Sequence, residues 1–104
     1  MTNQKWTPEK NAALVAAYLQ MQAQHNAGQK FSKAAVRRAL LAGPLAGHSE
    51  GSLEFKFMNV SGCLRALGRL HLPGYAPAMN YQRELMAEVC RQLGVTFPPA
   101  TSNP

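Results

Sequence analysis

The sequence predicts an all-α fold, a compact bundle of about four short helices with a helix-turn-helix-like pair among them. Two observations lead there. Apolar residues recur at spacings of three and four in four separate segments, each opened by a capping residue and closed by glycine. No run of useful length alternates apolar and polar residues with the period of a strand. Helices with one apolar face each must bury those faces together. At 104 residues the chain has the size of a single domain, placed at 1–95, with 96–104 read as a flexible tail.

The first helix starts in "WTPEK". Thr7 can cap it, Pro8 fits the first helical position where no N–H bond is lost, and Glu9 faces the positive end of the dipole. Leu14, Tyr18 and Met21 form the stripe, widened by Val15 and Leu19, and Gly28 ends it. Trp6, just before the cap, is expected to fold over the first turn as a staple. The second helix, "FSKAAVRRALLAGP", has Ser32 as cap and Gly43-Pro44 as stop. Val36 and Leu40 point one way, and Lys33 and Arg37 another, with Arg38 extending the basic side.

The third helix lies in "HSEGSLEFKFMNVSGCLRALGRL". Leu53, Phe57, Val60, Leu64 and Leu67 make the cleanest stripe in the chain, with Ser49 or Ser52 as cap and Gly68 as stop. Gly62 inside it costs roughly 1 kcal/mol against alanine, so either a neighbouring helix passes close or the helix bends. A Pro/Gly connector, "HLPGYAPAMN", leads to a fourth helix, "YQRELMAEVCRQLG". There Asn80 is the expected cap, Leu85, Val89 and Leu93 the buried row, and Gly94 the stop.

The net charge is +6, and it is unevenly spread. From Lys30 to Arg69 seven basic residues (Lys30, Lys33, Arg37, Arg38, Lys56, Arg65, Arg69) face only Glu50 and Glu54, a local balance of +5. A basic field of this kind favours a polyanionic partner. Enzymatic constellations are missing: His25, His48 and His71 are dispersed, and no metal-ligand spacing or phosphate-binding glycine loop occurs. Glu84 and Glu88, with Arg83 and Arg91 beside them, read as a solvated charged face. Cys63 and Cys90 fall on apolar helical positions and read as small core residues, reduced in a cytoplasmic protein. No stretch has the length of a membrane span, and the N-terminus has no apolar signal core. No catalytic residue, metal or cofactor is expected.

On the third helix Ser52, Lys56, Asn59 and Cys63 fall at i, i+4, i+7 and i+11, a polar strip away from the apolar stripe. Lysine can donate to guanine acceptors or a phosphate, and asparagine can pair with adenine. Such a strip has the form of a recognition helix; an ordinary wet outer face fits the same spacing. Phe55 and Met58 lie between strip and stripe, either packed on the fourth helix or partly exposed, and exposure would suit a protein interface better.

The motifs "W-T-x-E", "SEGSLEFKFMNVS" and "PGYAPAMNYQ" are similar to the N-terminal helical region of bacterial McrA-like or HNH-type restriction endonucleases, over roughly Trp6 to Leu93. The resemblance marks Ser49, Gly51, Ser52, Glu54, Lys56 and Asn59 on the third helix, and Gly74, Tyr75, Pro77, Asn80 and Tyr81 before the fourth. It implies a module that accompanies a nuclease domain or subunit. No HNH-like metal site follows in this chain, so nuclease activity does not carry over. The expectation is therefore a duplex-DNA-binding module in which Lys30, Lys33, Arg37, Arg38, Arg65 and Arg69 hold phosphates and Ser52, Lys56 and Asn59 face the bases. The alternative is a protein adaptor that docks through Phe55, Met58 and the Gly-Tyr-x-Pro connector.

Overall fold

The four periodic segments fold as helices. The computed structural model describes residues 5–97, with α1 at Pro8–Asn26, α2 at Lys33–Leu41, α3 at Glu50–Ala66 and α4 at Arg83–Leu93. Among the described residues there is no strand. Residues 98–104, most of the expected tail, lie outside the described residues.

Three of the helix starts are capped by the residue type that favours it. The Thr7 hydroxyl accepts from Lys10 N at 3.2 Å, Ser32 from Ala35 N at 3.1 Å, and Ser49 from Ser52 N at 3.0 Å. Ser49 rather than Ser52 is thus the cap of α3. Each such bond satisfies an orphan helix donor and contributes about 1 kcal/mol. The start of α4 differs from expectation. It begins after Gln82, which makes no side-chain capping bond. Asn80 instead accepts from Asn59 Nδ2 at 3.4 Å, because the connector is drawn against α3 before the helix can begin.

The helices α1 and α3 each pack against all three others, whereas α2 and α4 do not meet. The core therefore sits between α1 and α3. It joins Leu14, Val15, Tyr18 and Met21 to Leu53, Phe57, Val60 and Leu64, with Leu85, Met86 and Val89 of α4 closing one side. Leu40, Leu45, Leu72 and Tyr75 close the other. Burying each large apolar side chain contributes about 1.5–3 kcal/mol. Leu67 and Leu93, expected in the buried rows, are only half-buried, since each lies where its helix runs out.

Tyr18 ties the connector to the core. Its hydroxyl lies 2.7 Å from Ser61 Oγ and accepts from Leu72 N at 2.7 Å, all buried. Its ring meets Phe57 and Tyr75, whose own centroids are 5.1 Å apart. Trp6, expected to pack over the first turn of α1, packs against the core. Its ring stacks on His48 with centroids 4.4 Å apart and carries Lys56 Nζ 5.0 Å from its centre, so it links the start of α1 to α3.

Gly62 is explained by the connector and not by a neighbouring helix or a bend. A Cβ there would lie 2.8 Å from the Ala78 carbonyl carbon and nearer still to its oxygen. The close approach is held by Ala78 N donating to Met58 O at 3.0 Å and by Asn59 Nδ2 donating to Ala78 O at 3.1 Å. Residues 42–49 separate α2 from α3, longer than the three or four residues of a tight helix-turn-helix turn.

Candidate nucleic-acid interface

The polar strip of α3 is not a free surface. Lys56 is 6% exposed, Asn59 3%, and Cys63 is fully buried; only Ser52, in the first turn, is partly open. Lys56 Nζ donates to Gln82 Oε1 at 3.0 Å and rests over Trp6. Burial lowers its pKa, with nearby Cys63 and Glu84 opposing the shift. Both hydrogens of the Asn59 amide are aimed at Ala78 and Asn80. The Cys63 thiol is pushed up to about 12, chiefly by burial, and is inert as a nucleophile.

This corrects the expectation that Lys56 and Asn59 face bases. A recognition helix must leave its reading face to the groove, and on α3 the face that carries Lys56, Asn59 and Cys63 is covered by the connector and the start of α4. The sequence held a signal of this. From Phe57 to Leu64, "FMNVSGCL", no charged residue occurs and Ser61, Gly62 and Cys63 are small. A helix without a charged side, with small residues on the supposed outer face, is buried all round.

Arg37 is likewise engaged. It pairs with Glu50 at 3.5 Å and Glu54 at 3.4 Å and donates to the Tyr75 hydroxyl at 3.2 Å. Its charge is balanced by two carboxylates, so its work is to join α2 to α3 and the connector. Lys33 is anchored differently. Its ammonium donates to Pro73 O at 3.0 Å and lies 5.0 Å from the Tyr75 ring centre, contacts that position its charge without cancelling it.

Lys30, Arg38, Arg65 and Arg69 are exposed and make no ion pair among the described residues. Three of these belong to one end of the bundle, together with Lys33. Gln22, in the last turns of α1, donates to Leu70 O at 2.9 Å, and Lys33, at the start of α2, donates to Pro73 O. These bonds gather the end of α1 with Lys30, the start of α2 with Lys33, and the end of α3 with Arg65 and Arg69. Arg38 stands on the exposed side of α2 toward its last turn.

The carboxylates lie elsewhere. All five are glutamates: Glu9 at the start of α1, Glu50 and Glu54 at the start of α3, and Glu84 and Glu88 on α4. Glu88 is held by Arg91 at 2.6 Å, a bond that lowers its pKa. The field of the molecule is therefore polar, with uncompensated cations at the α1–α2 turn and the end of α3. Leu70 sits in the middle of that end. At 88% exposure it is the most open large apolar side chain described, and the periodicity that marks core residues gave no hint of its placement.

Around the opposite end, His48 Nε2 is buried without a hydrogen-bond partner. Desolvation lowers its pKa, and Lys10 and Lys56 add to the effect. No three His, Cys, Asp or Glu among the described residues come together as metal ligands, and no described helix is long and apolar enough to cross a membrane. Compared with known proteins, the chain matches no family model, no curated sequence and no solved structure.

Proposed function

We propose that the chain is a nucleic-acid-binding module that grips the phosphate backbone of duplex DNA with Lys30, Lys33, Arg65 and Arg69, assisted by Arg38. The observation that carries the reading is the segregation of charge. Four cations without carboxylate partners among the described residues, Lys30, Lys33, Arg65 and Arg69, gather where α1, α2 and α3 meet the connector, and every glutamate lies away from that end. Backbone holding needs only such a field and confers no sequence preference by itself. A nuclease domain or subunit beside it is part of the proposal on the motif resemblance alone.

The test is mobility shift on random duplex DNA at two salt concentrations. With about four phosphates neutralised, affinity falls on the order of 100-fold between 50 and 200 mM salt. Arg65→Ala combined with Arg69→Ala reduces the salt slope by about two, one for each phosphate that is no longer neutralised. Arg37→Ala leaves that slope unchanged, because its charge is already balanced. Absence of binding at 50 mM salt overturns the proposal. It would favour the second reading, a protein-docking surface through Phe55, which is 45% exposed, Met58, which is half-buried, and the Gly-Tyr-x-Pro connector.

A further inference from the structure

We infer that Leu70 is an apolar wedge that enters a base step of the bound duplex from the minor groove and kinks it. The inference rests on the duplex-binding reading and adds a mechanical action to it.

The fold makes no use of this side chain. Leu70 is almost wholly in water, whereas its neighbour Leu72 is buried in the core. Yet the backbone that carries it is tied on both sides. Arg69 N donates to Leu64 O at 2.8 Å, Leu70 O accepts from Gln22 at 2.9 Å, and Leu72 N donates to the buried Tyr18 hydroxyl at 2.7 Å. A leucine at the tip of a slack loop would fold back onto the surface. Here the anchors are the core tyrosine and the last turns of α1 and α3, so the side chain is presented outward at a fixed height.

Its surroundings select the partner. Arg69 precedes it and His71 follows it, Arg65 stands one turn back on α3, and Lys33 is pinned to Pro73 nearby. An apolar tip with Arg69 beside it and Arg65 and Lys33 at the same end of the bundle fits a polyanion that has an apolar interior behind its charged edge. In duplex DNA the phosphates rim the groove and the base stack lies behind it. Proteins that insert leucine or similar side chains into a step unstack it and bend the duplex by ~20–90°, and their cations hold the flanking phosphates. An anionic membrane shares the charged edge and apolar interior. Among the described residues the other exposed large apolar side chains, Phe55, Met79 and Phe97, are remote from Leu70 in sequence, and a single short tip favours the base stack, since membrane binding scales with buried apolar area.

The experiment measures end-to-end energy transfer in a duplex of about 30 base pairs labelled at both ends, alongside mobility shift, for the full chain and for Leu70→Ala and Leu70→Gln. The unaltered chain shortens the end-to-end distance on binding. Both variants bind with the same salt slope, bend the duplex little, and lose about threefold to tenfold in affinity. Their thermal unfolding matches that of the unaltered chain, because the side chain makes no core contact. Binding without bending, or bending that survives both substitutions, overturns the wedge and leaves backbone binding standing. Failure to bind duplex at 50 mM salt, with binding to phosphatidylserine vesicles that Leu70→Ala abolishes, overturns both and makes the tip a membrane contact.

Discussion

Gly62→Ala sets two opposing effects against each other with magnitudes that the geometry decides. In an isolated helix the substitution gains about 1 kcal/mol, since glycine has the poorer propensity. In this protein the new methyl would overlap the Ala78 carbonyl, with its carbon at 2.8 Å and the Ala78 nitrogen at 3.4 Å. Backbone atoms cannot swing aside as the end of a lysine can, so the connector must retreat as a unit. Retreat stretches the Ala78–Met58 bond and the Asn59–Ala78 bond, the second from a buried amide. Overpacking costs about 1–3 kcal/mol and two weakened hydrogen bonds about 1 kcal/mol each. The net expectation is a loss of about 2–4 kcal/mol, or a fall in Tm of roughly 10 °C or more for a domain of this size. Urea unfolding followed by circular dichroism reads it directly. Gly51→Ala is the internal control, because that site has nothing within 4 Å and no positive φ. It is expected to stabilise by about 0.4–1 kcal/mol. If Gly62→Ala proves as stable as the parent, the connector is not clamped on α3 and the polar strip beneath it is not sealed.

Two further outcomes follow from buried polar groups. Tyr18→Phe keeps the ring but strips Leu72 N–H and Ser61 Oγ of their shared partner, and should cost about 1–3 kcal/mol in chemical denaturation; a change under about 0.5 kcal/mol would refute the tie. His48 is held neutral by desolvation and by Lys10 and Lys56, so its folded pKa lies below the unfolded value of about 6.5. The unfolded chain then takes up the proton first, and stability present above about pH 6.5 is lost as pH falls through the folded pKa. His48→Gln should flatten stability between pH 7 and 5, and the emission of Trp6, the sole tryptophan and stacked on this ring, should lose its acid titration. A titration that persists in the variant would assign it to another group.

The sequence by itself determined the helices, because the information for them is local. A hydroxyl three residues before an amide, a glycine where the chain must turn left-handed, and apolar residues on one stripe are all legible within a window of four to eight residues. Thr7, Ser32, Ser49 and the Leu53-to-Leu64 stripe were readable on those grounds. The unequal spread of charge was readable too. What only the tertiary structure decided was which polar residues remain available. Lys56, Asn59 and Arg37 look as open in sequence as Arg65 and Arg69, but the first two are sealed by the connector and α4, and the third is neutralised by Glu50 and Glu54. The partners that seal them are 19 to 26 residues away along the chain, and no helical period encodes where a Pro/Gly segment lies down. Leu70 escaped for the converse reason. A leucine is read as core by its type, and only the anchors from Gln22 and Tyr18, some 50 residues earlier, turn this one outward. Local periodicity fixes which face of a helix is apolar, whereas exposure depends on what the rest of the chain lays over that face, a long-range choice made by packing.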